Sequence, residues 1–295
     1  MAGRKIVISG ASGLIGRPLT AALTQRGDDV IALTRGETGE GRLHWDPDAG
    51  ELDIAAIGDA SAVVHLAGES LIGFWTAGKK RAIIESRRNA TTLLASAFAA
   101  LDDKPEVFVS SSAIGYYGSR GDELLDEDSG NGEGFLAEVV RVWEDCAAPA
   151  RDAGIRTVAL RIGLVLGKGG GVLGAMKPLF KLGAGGKLAG GDQWWSWVTL
   201  DDVVRAFIFA IDHPDVEGAY NLSAPRPVTN AEFTKTFAHV LHRPAILHAP
   251  RFALRLTMRE MADETMLASQ RIDSGKLRAA GFKFADTDLE AALRG

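Results

Sequence analysis

The 295-residue sequence contains a single cysteine, Cys146, so no intrachain disulfide can form and a cystine-stapled scaffold is excluded. No apolar stretch approaches the roughly 18 residues that a membrane-spanning helix requires. There is no run of five like charges, and 33 basic against 38 acidic residues leave a formal net charge of −5. That balance argues against a nucleic-acid surface or a polybasic membrane patch. The opening MAGRKIVISG enters strand-like sequence with no signal-peptide apolar core, so a cytoplasmic protein is expected. Proline is scarce at ten residues, whereas glycine is abundant at 35.

Hydrophobic residues make up 46% and charged residues 24%, the profile of a globular chain long enough for two domains at roughly 150 residues each. Residues 5–9, 30–34, 62–67, 107–111 and 157–161 read as strands, and 17–26, 79–100 and 135–153 as helices. Strand and helix alternating at this spacing predict an α/β fold with parallel strands, right-handed crossovers and helices on both sheet faces. Eleven of the 35 glycines then fall within residues 163–191, a loop-rich stretch with one helix near 172–182. A helix at 202–213 and a strand at 219–222 follow, and the rest is mostly helical. The expected organisation is a domain of residues 1–165, rejoined by 196–221, and a smaller, mostly helical substrate lobe from 166–195 and 222–295.

Gly10, Ser12, Gly13, Leu14, Ile15 and Gly16 lie in a G-x-x-G-x-x-G turn between the first strand and the first helix. Glycines let such a turn close and let backbone approach a pyrophosphate, whose charge sits at the helix N-terminus. This is the dinucleotide-binding arrangement of a Rossmann, doubly wound sheet. The adenosine ribose is read at the end of the second strand, where an acid favours NAD and an arginine favours NADP. Thr34 and Arg35 stand there, a hydroxyl and a guanidinium fork suited to a 2′-phosphate, so NADP(H) is expected. Glu37, two positions on, is the feature that favours NAD.

With this turn, the segments His65–Gly68, Ser110–Ser112 and Tyr116–Gly118 resemble the extended short-chain dehydrogenase/reductase superfamily, an oxidoreductase group that includes nucleotide-sugar epimerases. Leu66–Glu69, Ser86–Arg87, Ser112–Gly118, Arg161–Gly167, Trp197–Val198 and Ala280–Phe284 narrow the resemblance to an atypical branch, the epimerase family proteins of the SDR39U and YfcH type. The resemblance implies a cofactor cleft lined by the glycine turn, Thr34, Arg35, Leu66, Ala67, Gly68, Arg87 and the loop near Val165. Arg161 ends a strand at the carboxyl edge, where open α/β sheets bind ligands, and joins that set.

The superfamily carries Tyr-x-x-x-Lys on the helix after the 107–111 strand, a spacing that puts both groups on one helical face for proton transfer. Aligning Glu144 with the acid that follows this lysine puts Leu136 and Val140 at the two positions, and neither moves a proton. Ser111, Ser112, Tyr116 and Tyr117 remain as the candidate catalytic groups, with Glu127 nearby. The glycine-rich 183–192 stretch and Trp194–Trp197 form a candidate lid, while Thr199 and Asp202 suit helix capping. His239 and His242 share a helical face without partners at metal-ligand spacing, so no metal is expected. Cys146 reads as a small buried residue. Together these features predict an NADP(H)-dependent oxidoreductase or epimerase acting by hydride transfer on a small hydroxyl- or carbonyl-bearing, for example sugar-like, compound, as a monomer or homodimer. The alternative is a non-catalytic NADP(H)-dependent sensor or scaffold.

Overall fold

The computed structural model describes residues 3–167 and 171–294; the part of the glycine-rich stretch at 168–170 lies outside the described residues. The first half of the chain runs β1 (Lys5–Ser9), α1 (Gly16–Gln25), β2 (Asp29–Thr34), β3 (Arg42–Asp46), β4 (Glu51–Leu52), α2 (Ile54–Ile57), β5 (Ala62–His65), α3 (Ala77–Ala99) and β6 (Val107–Ala113). It continues through β7 (Leu124–Leu125), α4 (Phe135–Asp145), α5 (Ala148–Asp152), β8 (Arg156–Ile162), β9 (Leu164–Leu166), α6 (Gly171–Lys181), β10 (Gly186–Leu188), β11 (Trp194–Trp195) and β12 (Trp197–Thr199). Then come α7 (Leu200–Asp212), β13 (Gly218–Leu222), β14 (Val228–Thr229), α8 (Asn230–Val240), β15 (Leu247–Ala249) and α9 (Arg251–Met258).

Eight strands form one sheet in the order β13-β8-β6-β5-β1-β2-β3-β4, parallel throughout except at β3–β4. The chain moves outward from β1 through β2 and β3, then resumes on the other side of β1 with β5. A crevice therefore opens at the carboxyl ends of β1 and β5, the switch point where doubly wound sheets take their ligands. The period-two alternation of each strand feeds the two layers of the sheet core. Ile6, Ile8, Val64 and Val109 pack with α1 and α7 on one face; Val7, Val63 and Phe108 pack with Ala90, Leu94 and Phe98 of α3 on the other. Covering both faces is why the central strands read as unbroken apolar runs.

Two of the differences from the sequence expectation bear on the site. Strand β3, flanked at the sheet margin by the two-residue β4, has no apolar run; only Leu43 and Trp45 face the core, alternating with Arg42 and His44. The helix expected over 135–153 breaks at Cys146 and Ala147, because Pro149 sits in the first turn of α5 and has no amide to continue the ladder. Cys146 is half-buried at that break.

A second core gathers Phe180, Trp195, Trp197, Phe233, Phe237 and Leu289 over the carboxyl end of the sheet. Thr199 caps α7, accepting from the Asp202 amide at 3.3 Å. The fully buried Asp202 carboxylate accepts from the amides of Ala285 (2.9 Å) and Asp286 (3.1 Å), and Leu277 and Phe282 join the sheet core. The C-terminal segment is thus tied to the sheet as well as to the second core.

His65 closes the end of β5, with Nδ1 2.7 Å from Ser9 Oγ and Nε2 2.9 Å from Thr91 Oγ1, so one buried ring joins β1, β5 and α3. Burial, and then the nearby Arg87 charge, push its pKa down to about 3, leaving the native ring neutral while the unfolded chain takes up a proton near 6.5. The unfolded state binds the extra proton between these values, so this contribution is fully present above pH 6.5 and is lost as pH falls towards 3. Urea unfolding of the wild type at pH 5 and 6.5 should show about 2 kcal/mol more loss than in His65→Asn. Equal losses in the two proteins would refute this.

Candidate functional site

The glycine turn follows β1 at the switch point. Gly10 has φ +73°, and a Cβ there would lie 2.8 Å from the Leu66 carbonyl carbon, so the ends of β1 and β5 meet backbone to backbone. A Cβ on Gly16 would lie 2.1 Å from the Gly10 oxygen, which locks the start of α1 against the turn. Gly13 is different: its Cβ would meet only the Gly10 oxygen, at 3.2 Å, and its missing side chain leaves open space. α1 begins without a side-chain cap, so its first amides have no partner from a capping residue.

In front of this turn lies a cavity of about 780 Å³ lined by Gly10, Ser12, Gly13, Thr34, Arg35, Leu66, Ala67 and Gly68. Of the expected cofactor residues, Leu14, Ile15, Gly16, Arg87, Arg161 and Val165 do not line it. Gly16 is buried beneath the turn, and Ile15 and Val165 pack onto the sheet core. Arg17, Arg42, Trp45 and Asp48 line the cavity without having stood out in the sequence, and Glu69, part of the Leu66–Glu69 segment, lines it too. For Arg17 the signal was its place directly after Gly16; Arg42 and Trp45 arrive on the unforeseen strand β3. Glu69 is held below the usual carboxylate range by its 2.5 Å hydrogen bond from Lys79.

None of the four candidate catalytic residues lines this cavity; Ser112 and Tyr117 belong to one polar chain, with Ser111 and Tyr116 beside it. Ser111 Oγ donates to the His65 carbonyl at 3.2 Å, and Ser112 Oγ donates to Glu144 at 2.5 Å. Glu144 receives both Nε and Nη2 of Arg161, at 2.9 and 2.8 Å. The Arg161 guanidinium also stacks on the Tyr116 ring, 3.5 Å from its centroid, and donates to the Tyr117 hydroxyl at 2.9 Å. That hydroxyl donates in turn to Asn221 Oδ1 at 2.7 Å, and the Asn221 backbone N–H donates to Glu127 at 2.6 Å. Burial pushes Tyr117 up to about 12 and raises Glu127 as well. Every hydroxyl of Ser111, Ser112 and Tyr117 already has a protein partner, and a tyrosine at about 12 stays protonated at neutral pH.

A second cavity, about 690 Å³, opens between the sheet edge and the smaller lobe. Leu136 and Val140 line it, one helical turn apart, as the alignment with the Tyr-x-x-x-Lys positions expects. Arg87 lines it too. Its Nη1 donates to the carbonyls of Glu69 and Ile83, both at 3.1 Å, and its guanidinium lies 4.8 Å from the Trp143 ring. The segment expected as a lid is partly structured: β10 pairs with β15, Trp194 and Trp195 line the cavity, and Trp197 is core. Among the described residues no group of three or more His, Cys, Asp or Glu is gathered to hold a metal, and no helix is long and apolar enough to cross a membrane.

Residues 6–223 match the NAD dependent epimerase/dehydratase family, and residues 249–295 match a domain of unknown function, DUF1731. An epimerase family protein of Mycobacterium bovis is 41% identical over 295 residues, covering 99% of this chain and 97% of the relative. A chloroplastic SDR39U1 homolog of Arabidopsis thaliana is 34% identical, covering 98% and 85%. Among solved structures, human epimerase family protein SDR39U1 with NADPH superposes at a TM-score of 0.90 with 31% identity, covering 98% of each chain.

The polar chain has a measurable weight. Arg161 and Glu144 side chains are only 5% and 17% exposed, so Glu144→Ala leaves a buried guanidinium without its counter-charge and should cost roughly 3–5 kcal/mol in urea unfolding. Tyr117→Phe should cost about 1–2 kcal/mol by the same measurement, because Asn221 and Arg161 each lose a partner. A Glu144→Ala loss below that of Tyr117→Phe would refute the ranking.

Proposed function

The chain belongs to the NAD dependent epimerase/dehydratase family, with the extended short-chain dehydrogenase/reductase fold, and we propose that it binds NADP(H) and acts as an oxidoreductase or epimerase on a small hydroxyl- or carbonyl-bearing compound. The observation that carries this reading is the cradle at the switch point: backbone that a Cβ at Gly10 or Gly16 would block, an open face at Gly13, and Arg35 at the end of β2 lining the same cavity. The residues present fit a dinucleotide. The turn amides and the start of α1 would hold its pyrophosphate, Arg35 and Arg17 would meet a 2′-phosphate, and Leu66–Gly68 would flank the adenosine side. When bound, the nicotinamide supplies a hydride donor or acceptor.

This chain's own residues then do three things. Leu136 and Val140 exclude water from the site rather than relay a proton. Arg87, held by two backbone carbonyls and by Trp143, sets a fixed positive charge between the cavities, where it can polarise a carbonyl oxygen. Ser111, Ser112, Tyr116, Tyr117 and Arg161 act as positioning residues that fix the carboxyl ends of β6 and β8. The hydrophobic pair also favours a second reading, an NADP(H)-dependent sensor or scaffold without turnover.

Arg35→Ala should weaken NADPH binding by about 10- to 100-fold, the worth of a charge-assisted hydrogen bond, and leave NADH binding unchanged, as read by cofactor fluorescence titration. Equal affinity of the wild type for the two cofactors would overturn the NADP(H) assignment. Bleaching of bound NADPH absorbance by a carbonyl compound supports the enzyme, and tight retention with no bleaching across a broad panel supports the sensor.

A further inference from the structure

We infer that the second cavity selects an apolar substrate, a hydrocarbon-like chain or ring carrying one carbonyl or hydroxyl, rather than a nucleotide-linked sugar; this rests on the hydride-transfer reading above. The walls carry the argument. Leu164, Val172, Met176, Phe180, Leu188 and Trp195 close it on the side of the smaller lobe, while Leu136 and Val140 close it on the side of the sheet.

Most polar side chains that reach it are already engaged with the protein; the exceptions are the buried Trp143 Nε1, a single donor without a partner, and His248, which is exposed. Glu264 accepts from the Phe135 and Leu136 amides at 3.2 and 3.0 Å. The Gln270 amide donates to the carbonyls of Ile114 and Gly118 at 3.0 and 3.1 Å, and Ser196 Oγ donates to the Gln270 carbonyl at 2.7 Å. Among the described residues, Arg87 is the only lysine or arginine lining the cavity. A diphosphate needs several donors and counter-charges in one place. One guanidinium suits one oxygen.

Arg87 also fixes the orientation. A Cβ on Gly68, which lines the first cavity, would lie 3.2 Å from the Arg87 guanidinium carbon, so the two cavities meet at this side chain. The oxygen-bearing end of the ligand belongs there, next to the cofactor cleft, and the apolar remainder extends towards α6 and α9. The mouth at that far end is apolar as well: Leu179 and Leu247 line the cavity while 55% and 52% exposed.

The test is a homologous series of methyl ketones, from butanone to 2-decanone, titrated into the full-length protein with NADPH present. Quenching of tryptophan fluorescence reads binding, since Trp143, Trp194 and Trp195 line the cavity. Affinity should rise about fourfold per added methylene over several steps, the increment expected for burying a CH₂ group. Met176→Glu should weaken 2-decanone at least tenfold while NADPH affinity stays unchanged, and UDP-glucose should not displace the ketone. A flat chain-length series, displacement by UDP-glucose, or full ketone affinity in Met176→Glu would each overturn the proposal. NADPH affinity is measured separately, so its absence would overturn the cofactor reading and leave the chain-length result to be judged without NADPH.

Discussion

The contact between the Gly10 backbone and the Leu66–Ala67 peptide is the constraint on which the rest of the structure depends. With a Cβ excluded at 2.8 Å, the carboxyl ends of β1 and β5 come together more closely than any other residue would allow. That approach places the Ser9 hydroxyl on His65, His65 on Thr91 of α3, and the start of α1 over the crevice. The first cavity is what remains in front of the turn once these backbones have met. Side chains around it can vary, but the turn cannot open without separating the two central strands.

Around this crevice, polar chemistry serves architecture to an unusual degree. A chain of hydrogen bonds from Ser112 through Glu144, Arg161, Tyr117 and Asn221 to Glu127 crosses the ends of β6, β8 and β13. Buried polar networks of this kind specify a single arrangement because each member is costly to leave unpaired. What faces the second cavity is largely hydrocarbon, with Arg87 the only lysine or arginine among the described residues that line it.

Much of this was legible in the sequence for identifiable reasons. The central strands are buried on both faces and so appear as apolar runs, and the glycine spacing reports backbone contacts that no side chain permits. The placement of Leu136 and Val140 on one cavity wall was legible because residues four apart share a helical face. Strand β3, next to the two-residue β4 at the sheet margin, was not, since it needs apolar residues on one face only and Arg42-Leu43-His44-Trp45-Asp46 has two. Nor could adjacency in sequence reveal that Tyr117 faces Asn221, 104 positions away. The serines and tyrosines stand out as candidates by residue type, whereas the partners of Ser112 and Tyr117 come from distant segments.

Glu264 reaches from the smaller lobe to the first turn of α4, whose start has no side-chain cap of its own, and the approach is open only because Gly134, at φ +107°, has no Cβ. The helix that carries Leu136 and Val140 is therefore finished by a residue some 130 positions away, in the segment that forms the opposite wall. The two walls behave as one thermodynamic unit: withdrawing the lobe strips two amides of their acceptor and costs about 1 kcal/mol or more before any apolar surface is exposed. Opening of the cavity and fraying of α4 are consequently the same event, and amide exchange at Phe135 and Leu136 is the local record of whether the cavity is shut.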